Sequence, residues 1–561
     1  MIVRSILPFF LLAASAAAQF TTASLSGTVL DTSAATLPDA RVTVRNVDTG
    51  FSQNAVTDAT GAFLFPRLPV GTYELRVEKS GFSSYVQSGI NLTVNQVANQ
   101  TVTMQLGQVS EQVTVQGDAE LVVTKTATNG QLISQKSVVE LPLNGRGAQS
   151  LVFLAAGTVN LTSRYCGENC HGGVYPGEQT AGVNGAGSSQ VNYQLDATDH
   201  NDSYISMNLP FPNPDALQEF NLQSSNFTAE YGNAGGGVVN IVTRSGTNEF
   251  HGSLFHFLRN GALNARNFFA PTQDTLKRNQ FGGTFGGPIV RNKLFFFGTY
   301  QGTRTRSSPA GRVSFVPTEA ERRGDFSALS TRIVDPTTGQ PFPGNIIPTS
   351  RIVKPATFFL GKVPTPNGVG RQLTFPGAQL LETENQFMPK VDWIHGSHQF
   401  SGRYFFTDFD RPPFIPTDNV IRSTSGNAVR VQNISIVHTY TASASLLFNT
   451  TFGYNRQRGG SLASAPFSFR DAGVNIAGPQ DSELKAPPAL NLSITGGFGV
   501  GTGHKGDFDR SNFTYREVIT KIVGSHELRF GGEAIRIRND IRNTFQMMGN
   551  FTFSGQITGE G

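Results

Sequence analysis

Residues 384–409 carry the feature that most restricts the fold, because apolar and polar side chains alternate there along two segments joined by a tight turn. A period of two places one set of side chains on each face of a β-hairpin. The apolar face holds Phe387, Val391, Trp393, Phe400, Tyr404 and Phe406. The pattern predicts a hairpin with an apolar environment on one side and a polar one on the other, as in the wall of a transmembrane β-barrel.

The connections in residues 248–561 alternate between short and long. Short ones fall at residues 288–292, 395–397, 441–444 and 524–525, and long polar ones at 260–277, 305–384, 410–427 and 457–511. A barrel needs this asymmetry, with short periplasmic turns and long extracellular loops. The segment predicts about ten antiparallel strands, whereas barrels that enclose a plug have about 22. The last residues lack a terminal aromatic strand, so we expect an incomplete barrel from a fragment or a truncated gene product.

The N-terminus predicts export. Residues 1–18 combine Arg4, an apolar core and small residues before a cleavage site between Ala18 and Gln19, as in a signal peptide. No later apolar run approaches the roughly 20 residues of a membrane-spanning helix. Charged residues make up 15% of the chain and the net charge of +4 is scattered, which argues against a nucleic-acid partner.

Short β patterns broken by Gly, Pro and Asp turns fill residues 19–106 and predict a seven-stranded β-sandwich. Its turn residues are Gly27, the turn at 58–61 before Phe63, Gly71, Tyr73, and the pair Gly81 and Phe82. This arrangement resembles the carboxypeptidase regulatory-like, transthyretin-type domain. The resemblance implies no chemistry here, and the segment contains no His that could ligate zinc.

A β-prone strip with polar flanks follows the sandwich pattern. Its residues are Glu111, Gln112, Val113, Thr114, Val115 and Gln116. A free strip of this kind can add as an edge strand to a partner's sheet. It resembles the TonB box, the periplasmic tether of TonB-dependent receptors, and that resemblance implies a contact with TonB. The alternative is a last strand or linker of the preceding sandwich.

Residues 107–247 predict a mixed α/β plug domain. The stretch LPLNGR at 141–146 precedes a short helical pattern, and residues 190–203 and 213–260 continue the similarity. Together they resemble the plug of Oar-like TonB-dependent receptors. One departure is Ala197, where the family usually has Gly after the Asp.

Three consecutive glycines stand in YGNAGGGVVNIVTRSGTNEFHG at residues 231–252. A phosphate-binding loop would need Lys and Ser or Thr after the last glycine, and Val238 follows instead. We interpret the segment as a hinge between plug and barrel, where glycine permits close backbone approach and turn conformations. The residues of this predicted hinge are Gly235, Gly236, Gly237, Ser245 and Gly246.

Several groups suggest chemistry without completing a site. Cys166 and Cys170 favour a disulfide in an exported protein over a metal site with His171, which lacks a fourth ligand. Asp196, Asp199 and Asp202 lack the EF-hand pattern for calcium, and a turn satisfied by its own backbone is the preferred interpretation. No catalytic motif is present in the sequence, so we expect neither an enzyme nor a cofactor or bound metal.

These features predict a TonB-dependent receptor of the outer membrane, surrounded by lipid, with its sandwich in the periplasm. The resemblance implies that TonB and its inner-membrane complex energise uptake, and that the ligand is a siderophore, cobalamin, a glycan or a peptide. A second hypothesis is a surface adhesion or matrix protein that binds glycans or proteins without transport.

Overall fold

The structure is a computed structural model that describes residues 22–107, 112–116, 128–162, 175, 179–232, 234–269, 272–308, 311–443, 445–463, 465–475, 489–523, 526–544, 547, 549–556 and 558. It consists of an N-terminal sandwich, a plug, a curved wall of long strands and a cap formed by the longest loops. No helix in these ranges has the length and apolar character that crossing a membrane requires.

The sandwich pairs a three-stranded sheet, in the order β4-β1-β7, with a five-stranded sheet, in the order β3-β2-β5-β6-β8. Its strands are β1 Thr22–Asp31, β2 Arg41–Asn46, β3 Ser52–Val56, β4 Ala62–Pro69, β5 Gly71–Glu78, β6 Ser84–Leu92, β7 Val97–Met104 and β8 Gln112–Gln116. Alternation decides which side chains form the core. In β2, Val42 and Val44 are fully buried while Arg41 and Arg45 face solvent. The seven predicted strands are present, and β8 is an eighth.

The plug is built on a five-stranded sheet in the order β13-β12-β15-β14-β9. The plug strands are β9 Asn129–Ser134, β10 Thr158–Asn160, β11 Ala181–Val183, β12 Val191–Leu195, β13 Thr198–Asp199, β14 Leu217–Ser225 and β15 Gly237–Thr243, and its helix is α1 Gln135–Glu140. Short 3-10 helices lie at Asn144–Arg146, Ala148–Leu154, Ser188–Gln190 and Pro214–Ala216. The strand β15 is buried along its whole length because it lies between β12 and β14.

The wall is one nine-stranded antiparallel sheet in chain order. Its strands are β16 His251–Asn260, β17 Lys277–Val290, β18 Leu294–Ser307, β21 Leu380–His395, β22 His398–Arg411, β23 Gly426–Ser443, β24 Leu446–Leu462, β27 Gly506–Val523 and β28 His526–Asn543. Strand ends lie at the predicted short turns 288–292, 395–397 and 441–444, and the predicted turn at 524–525 lies outside the described residues. The nine strands in the described part of the chain agree with the predicted count of about ten.

The two faces of the wall differ as predicted. On β21, Phe387, Val391 and Trp393 are between 43% and 46% exposed on the outer face, whereas Gln386 and Lys390 are buried on the concave face. The concave face is polar in general, since it buries Thr299, Gln301, Arg403, Asn433, Arg510, Asn512 and Arg516. The plug lies against this face, so buried polar groups of the wall meet the plug and not lipid.

The long loops form the cap on the side of the wall opposite the short turns. The cap contains β19 Arg312–Phe315, β20 Gln372–Phe375, β25 Asn491–Ile494, β26 Gly499–Gly501, β29 Phe551–Phe553, α2 Glu319–Arg322 and α3 Lys354–Leu360. Thr318 and Glu321 form a capping box at the start of α2. Aromatic side chains from separate loops share one core, in which the rings of Phe358 and Phe467 lie 4.9 Å apart.

Candidate functional site: the plug and its contacts with the wall

The hairpin of β12 and β13 contacts the concave face of the wall. Asp196 accepts hydrogen bonds from Thr243, from the backbone amide at 2.9 Å and from the hydroxyl at 2.6 Å. Its carboxylate also lies 2.8 Å from Nε of Arg403 and 4.0 Å from Nζ of Lys390 on the wall. Burial alone would raise the pKa of Asp196, but Lys390, Arg403 and Thr243 outweigh that effect and lower it. Asp196 is therefore a buried anion held by two wall cations.

The next two aspartates of the series also reach the wall. Asp199 accepts a hydrogen bond of 2.8 Å from the Asn512 amide, and Asp202 lies 2.6 Å from Nη1 of Arg510. Burial raises the pKa of both carboxyls, although Arg510 partly opposes this at Asp202. The interpretation of these residues as a self-contained turn is therefore incomplete. Asp202 does accept from the backbone amide of Tyr204, but each aspartate also has a partner on the wall.

The turn between Asp196 and Thr198 explains why glycine is usual at its centre. Ala197 has a φ of 65°, in the left-handed region where a Cβ is unfavourable. Its carbonyl accepts a hydrogen bond of 2.5 Å from Nη1 of Arg516, and the carbonyl of Asp196 accepts one of 2.8 Å from Ser435. The wall thus binds the backbone of this turn as well as its carboxylate.

The LPLNGR stretch forms a second contact with the wall. Arg146 pairs with Asp215 of the plug and donates to Oε1 of Gln301 at 3.1 Å. Its guanidinium also lies 4.5 Å and 4.3 Å from the ring centroids of Phe255 and Phe257 on β16. Cation–π contacts are made more often by arginine than by lysine, and the flat guanidinium can also stack on a ring. The stretch is therefore a docking element of the plug.

Two further bonds extend this second contact. Arg259 donates to Oδ1 of Asn144 at 2.8 Å, and Gln280 donates to the carbonyl of Gly145 at 3.0 Å. Asn144, Gly145 and Arg146 therefore form hydrogen bonds with side chains of β16, β17 and β18, respectively.

The glycines of the predicted hinge lie where added side chains would collide. A Cβ on Gly235 would lie 2.5 Å from Gln190, one on Gly236 2.7 Å from Ala186, and one on Gly237 3.0 Å from the carbonyl of Gln223. None of the three has a positive φ, so close packing and not turn geometry requires glycine here.

The crossing from plug to wall is equally tight. A Cβ on Gly246 would lie 2.3 Å from the carbonyl of Phe296 and 2.9 Å from that of Gly287. Ser245 precedes it and lies beside the cavity between sandwich, plug and wall.

The strip predicted to contact TonB lies in the sandwich sheet. Its residues Gln112–Gln116 form β8, which pairs in parallel with β6 from Ser84 to Ser88. In the described part of the chain this strip is the edge strand of the sandwich sheet, and its contact with TonB stays a prediction. Glu111 lies outside the described residues.

The predicted cleavage residues Ala18 and Gln19 and the cysteines Cys166 and Cys170 lie outside the described residues. Their predicted roles therefore stay predictions.

The sandwich touches both the plug and the wall at the end with short turns. Asn248 donates its amide to the carbonyl of Asp48 at 2.8 Å, and Nε of Arg67 donates to the Thr520 hydroxyl at 3.1 Å. On the plug, Glu219 accepts from the amide of Val94.

Sequence reasoning missed the wall residues that hold the plug, namely Lys390, Arg403, Arg510, Asn512 and Arg516. The sequence pattern could have indicated the basic residues among them, because a charged side chain on the polar face of a membrane strand requires a buried partner. The pattern within one strand could not show which plug residue is that partner.

Two family matches agree with this architecture. Residues 242–561 match the family described as "Outer membrane beta barrel domain". Residues 24–105 match the "Carboxypeptidase regulatory-like domain".

The chain is also similar to the "TonB-dependent transporter Oar" of Myxococcus xanthus, with 31% identity over 300 residues. That match covers 50% of this chain and 27% of the relative's length. The predicted resemblance to Oar-like proteins is thereby confirmed.

Among solved structures, the chain is similar to the outer membrane transporter YddB of Escherichia coli, with 12% identity and a TM-score of 0.43. It is similar to the siderophore receptor PirA of Acinetobacter baumannii, with 11% identity and a TM-score of 0.42. Each likeness covers 73% of this chain and 48% of the other. The antiparallel register of the wall and the match over residues 242–561 assign the barrel fold. The chain belongs to the outer membrane beta barrel domain family.

Proposed function

We propose that this chain acts in the TonB-dependent uptake of a ligand across the outer membrane. The observation that carries the proposal is the plug held within the concave face of the wall by buried charges. Asp196 with Arg403 and Asp202 with Arg510 are pairs in which every side chain is at most 9% exposed. A plug in this position blocks passage, and its polar contacts can be exchanged for contacts with water when it moves.

Energised TonB would supply the work for that movement. The contact is expected at Glu111 and at Gln112–Gln116, because an edge strand can bind a partner through backbone hydrogen bonds. In the described part of the chain, β8 lies at the edge of its sheet. The relative named as a TonB-dependent transporter supports the same partner.

Ligand recognition would fall to the cap. It lies across the end of the wall opposite the sandwich and has its own apolar core, with the fully buried Val316, Val420 and Leu490. A folded cap is also what the adhesion hypothesis requires. The two functions differ in whether the plug has to move.

A photo-crosslinking residue at Val113 tests the contact with TonB in cells. We expect an adduct with TonB there and none at the matched position Val56, which lies on the opposite edge of the same sheet and is 63% exposed. An adduct at both positions or at neither would contradict the assigned contact.

Deletion of residues 111–116 tests transport. Mass spectrometry of spent medium should show at least one compound that wild-type cells remove and mutant cells leave, while the mutant protein still reaches the surface and binds that compound. Unchanged removal of every compound by the mutant would leave adhesion as the function.

A further inference from the structure

The sandwich has one edge against the wall and one edge away from it. In the five-stranded sheet, β3 and β8 are the two edges. Ser52 and Asn54 of β3 line a cavity together with Gly396, Ser397 and Thr441 of the short turns. Four strand spacings of about 4.8 Å place β8 roughly 19 Å from β3. The edge at β8 therefore lies away from these turns, and in the described part of the chain no strand pairs with its outer side.

The sandwich covers the plug from the side of the short turns. Tyr231 of the plug donates to Oδ1 of Asn95 at 3.1 Å and accepts from the Asn240 amide of β15 at the same distance. With the bonds of Asp48, Arg67 and Val94 described above, the sandwich is tied to wall and plug at separate points. Ile394 of the wall also packs against the sandwich core.

This interface is loosely packed compared with the domains on either side. It contains partly open cavities of about 300 Å³, 240 Å³ and 80 Å³, whereas the sandwich core buries Leu25, Val42 and Leu75 completely. Voids forfeit dispersion contacts, so a surface with cavities and a few polar bonds separates before a dense core does.

We infer that the sandwich is a periplasmic cover over the plug, and that it lifts off the wall as one body with β8 when TonB draws on β8. The inference rests on the proposed function. In the alternative movement, TonB would pull β8 out of the sandwich as a free tether. The inferred movement differs because β8 remains paired with β6 throughout.

The geometry favours a joint movement. A strand of TonB that adds to the outer side of β8 turns β8 from an edge strand into an interior one, paired on both sides. Pairing on the second side does not compete with the five residue pairs between β6 and β8. When TonB pulls on this extended sheet, the loosely packed interface between sandwich and wall therefore separates before the pairing of β6 and β8 does.

Two engineered disulfides separate the alternatives. Ser88→Cys with Gln116→Cys joins register partners on β6 and β8 and keeps β8 in the sandwich. Gly50→Cys with Asn292→Cys joins the sandwich to the wall, since a Cβ on Gly50 would lie 3.5 Å from the Cβ of Asn292, which suits a disulfide.

The φ of 71° at Gly50 makes that substitution strained, so the reduced form of each variant serves as its own folding control. All variants carry Cys166→Ser and Cys170→Ser, and that background alone is measured beside them.

The readout is the labelling of Thr520→Cys by N-ethylmaleimide in cells that also carry the crosslinker at Val113. Thr520 is fully buried where Arg67 meets the wall, so its labelling reports departure of the sandwich. Unlabelled thiols are counted afterwards by a gel shift with a polymeric maleimide. A protonophore gives the unenergised baseline.

We expect energised cells to label Thr520→Cys several-fold above the baseline. The staple between residues 88 and 116 should leave this increase intact, and the staple between residues 50 and 292 should abolish it until reductant is added. Two results would overturn the inference, provided that the TonB adduct at Val113 still forms. One is loss of labelling when the disulfide between residues 88 and 116 is formed, and the other is labelling that continues when the disulfide between residues 50 and 292 is formed. Absence of that adduct would instead remove the proposed function.

Discussion

Oδ2 of Asp202 in the plug lies 2.6 Å from Nη1 of Arg510 in β27, and both side chains are 2% exposed. Removal of one member leaves the other as a buried group without its counter-charge, which costs about 3 kcal/mol or more. We expect Arg510→Met to lower the stability of the docked plug by that amount at pH 8, measured as the shift in Tm in detergent.

The matched control is the pair Arg538 and Asp540, at 3.1 Å but more than 70% exposed. Arg538→Met should change stability by less than about 1 kcal/mol, because exposed pairs contribute little. Since burial raises the pKa of Asp202, its carboxyl becomes neutral more readily, and the loss in Arg510→Met should shrink at pH 5. Equal effects of the two substitutions would contradict the assigned importance of the buried pair.

Arg146→Lys should weaken the docking of the plug against β16 although the charge is kept. Lysine cannot combine the ion pair with Asp215, the bond to Gln301 and the stacking on Phe255 and Phe257. We expect a loss of about 2 kcal/mol, seen as faster cleavage of the plug by added protease in detergent. Arg266→Lys, on an exposed loop, is the comparison, and equal cleavage of the two variants would refute the role of Arg146.

Docking of the sandwich on the plug should weaken as the pH rises. Burial raises the pKa of Glu219 in the plug to about 7 and the amide of Val94 partly opposes this, while no charged side chain in the described part of the chain contributes. Because the docked pKa exceeds the usual value of 4.5, docking is strongest below pH 4.5 and declines until pH 7, after which the carboxylate is charged in both states.

Spin labels at Val56→Cys and Val523→Cys, both on exposed sites of sandwich and wall, report the docked fraction through their distance distribution. The fraction should be higher at pH 5 than at pH 8 in the wild type. Glu219→Gln should remove the difference, and Glu249→Gln, whose side chain is 84% exposed, should keep it. A pH response that survives Glu219→Gln would assign the effect to another group.

Gly236→Val should reduce the amount of assembled protein at the cell surface several-fold. Its Cβ would lie 2.7 Å from that of Ala186 and 3.2 Å from the carbonyl of Val183, inside the packed plug. Gly232→Val is the control in the same segment, because a Cβ there meets nothing within 4 Å. Surface labelling of the two variants gives the comparison, and normal levels of Gly236→Val would count against close packing at this site.

The sequence predicted the features that depend on near neighbours. Alternation placed Phe387 and Trp393 outside the wall and Lys390 inside it, and the turn residues located the short connections, because both signals act over a few positions. The strands are longer than the roughly 10 residues that a membrane requires, reaching 18 in β23, β27 and β28. Neighbouring strands keep pairing beyond the apolar band, which composition does not show.

The contacts between plug and wall could not be predicted from patterns of neighbouring residues in the sequence. Asp202 and Arg510 are separated by 308 positions, and Asp199 and Asn512 by 313. The sequence offered a regular series of aspartates and, separately, basic residues within strands. Only the curvature of the wall brings them together.

The distance along the chain between these partners has a consequence for the order of assembly. The plug is synthesised well before β27. The carboxylates of Asp199 and Asp202 therefore lack their wall partners until Asn512 and Arg510 are synthesised, about 310 residues later. Until those groups arrive, burial of either carboxylate is unfavourable. We therefore expect the plug to complete its folding together with the wall.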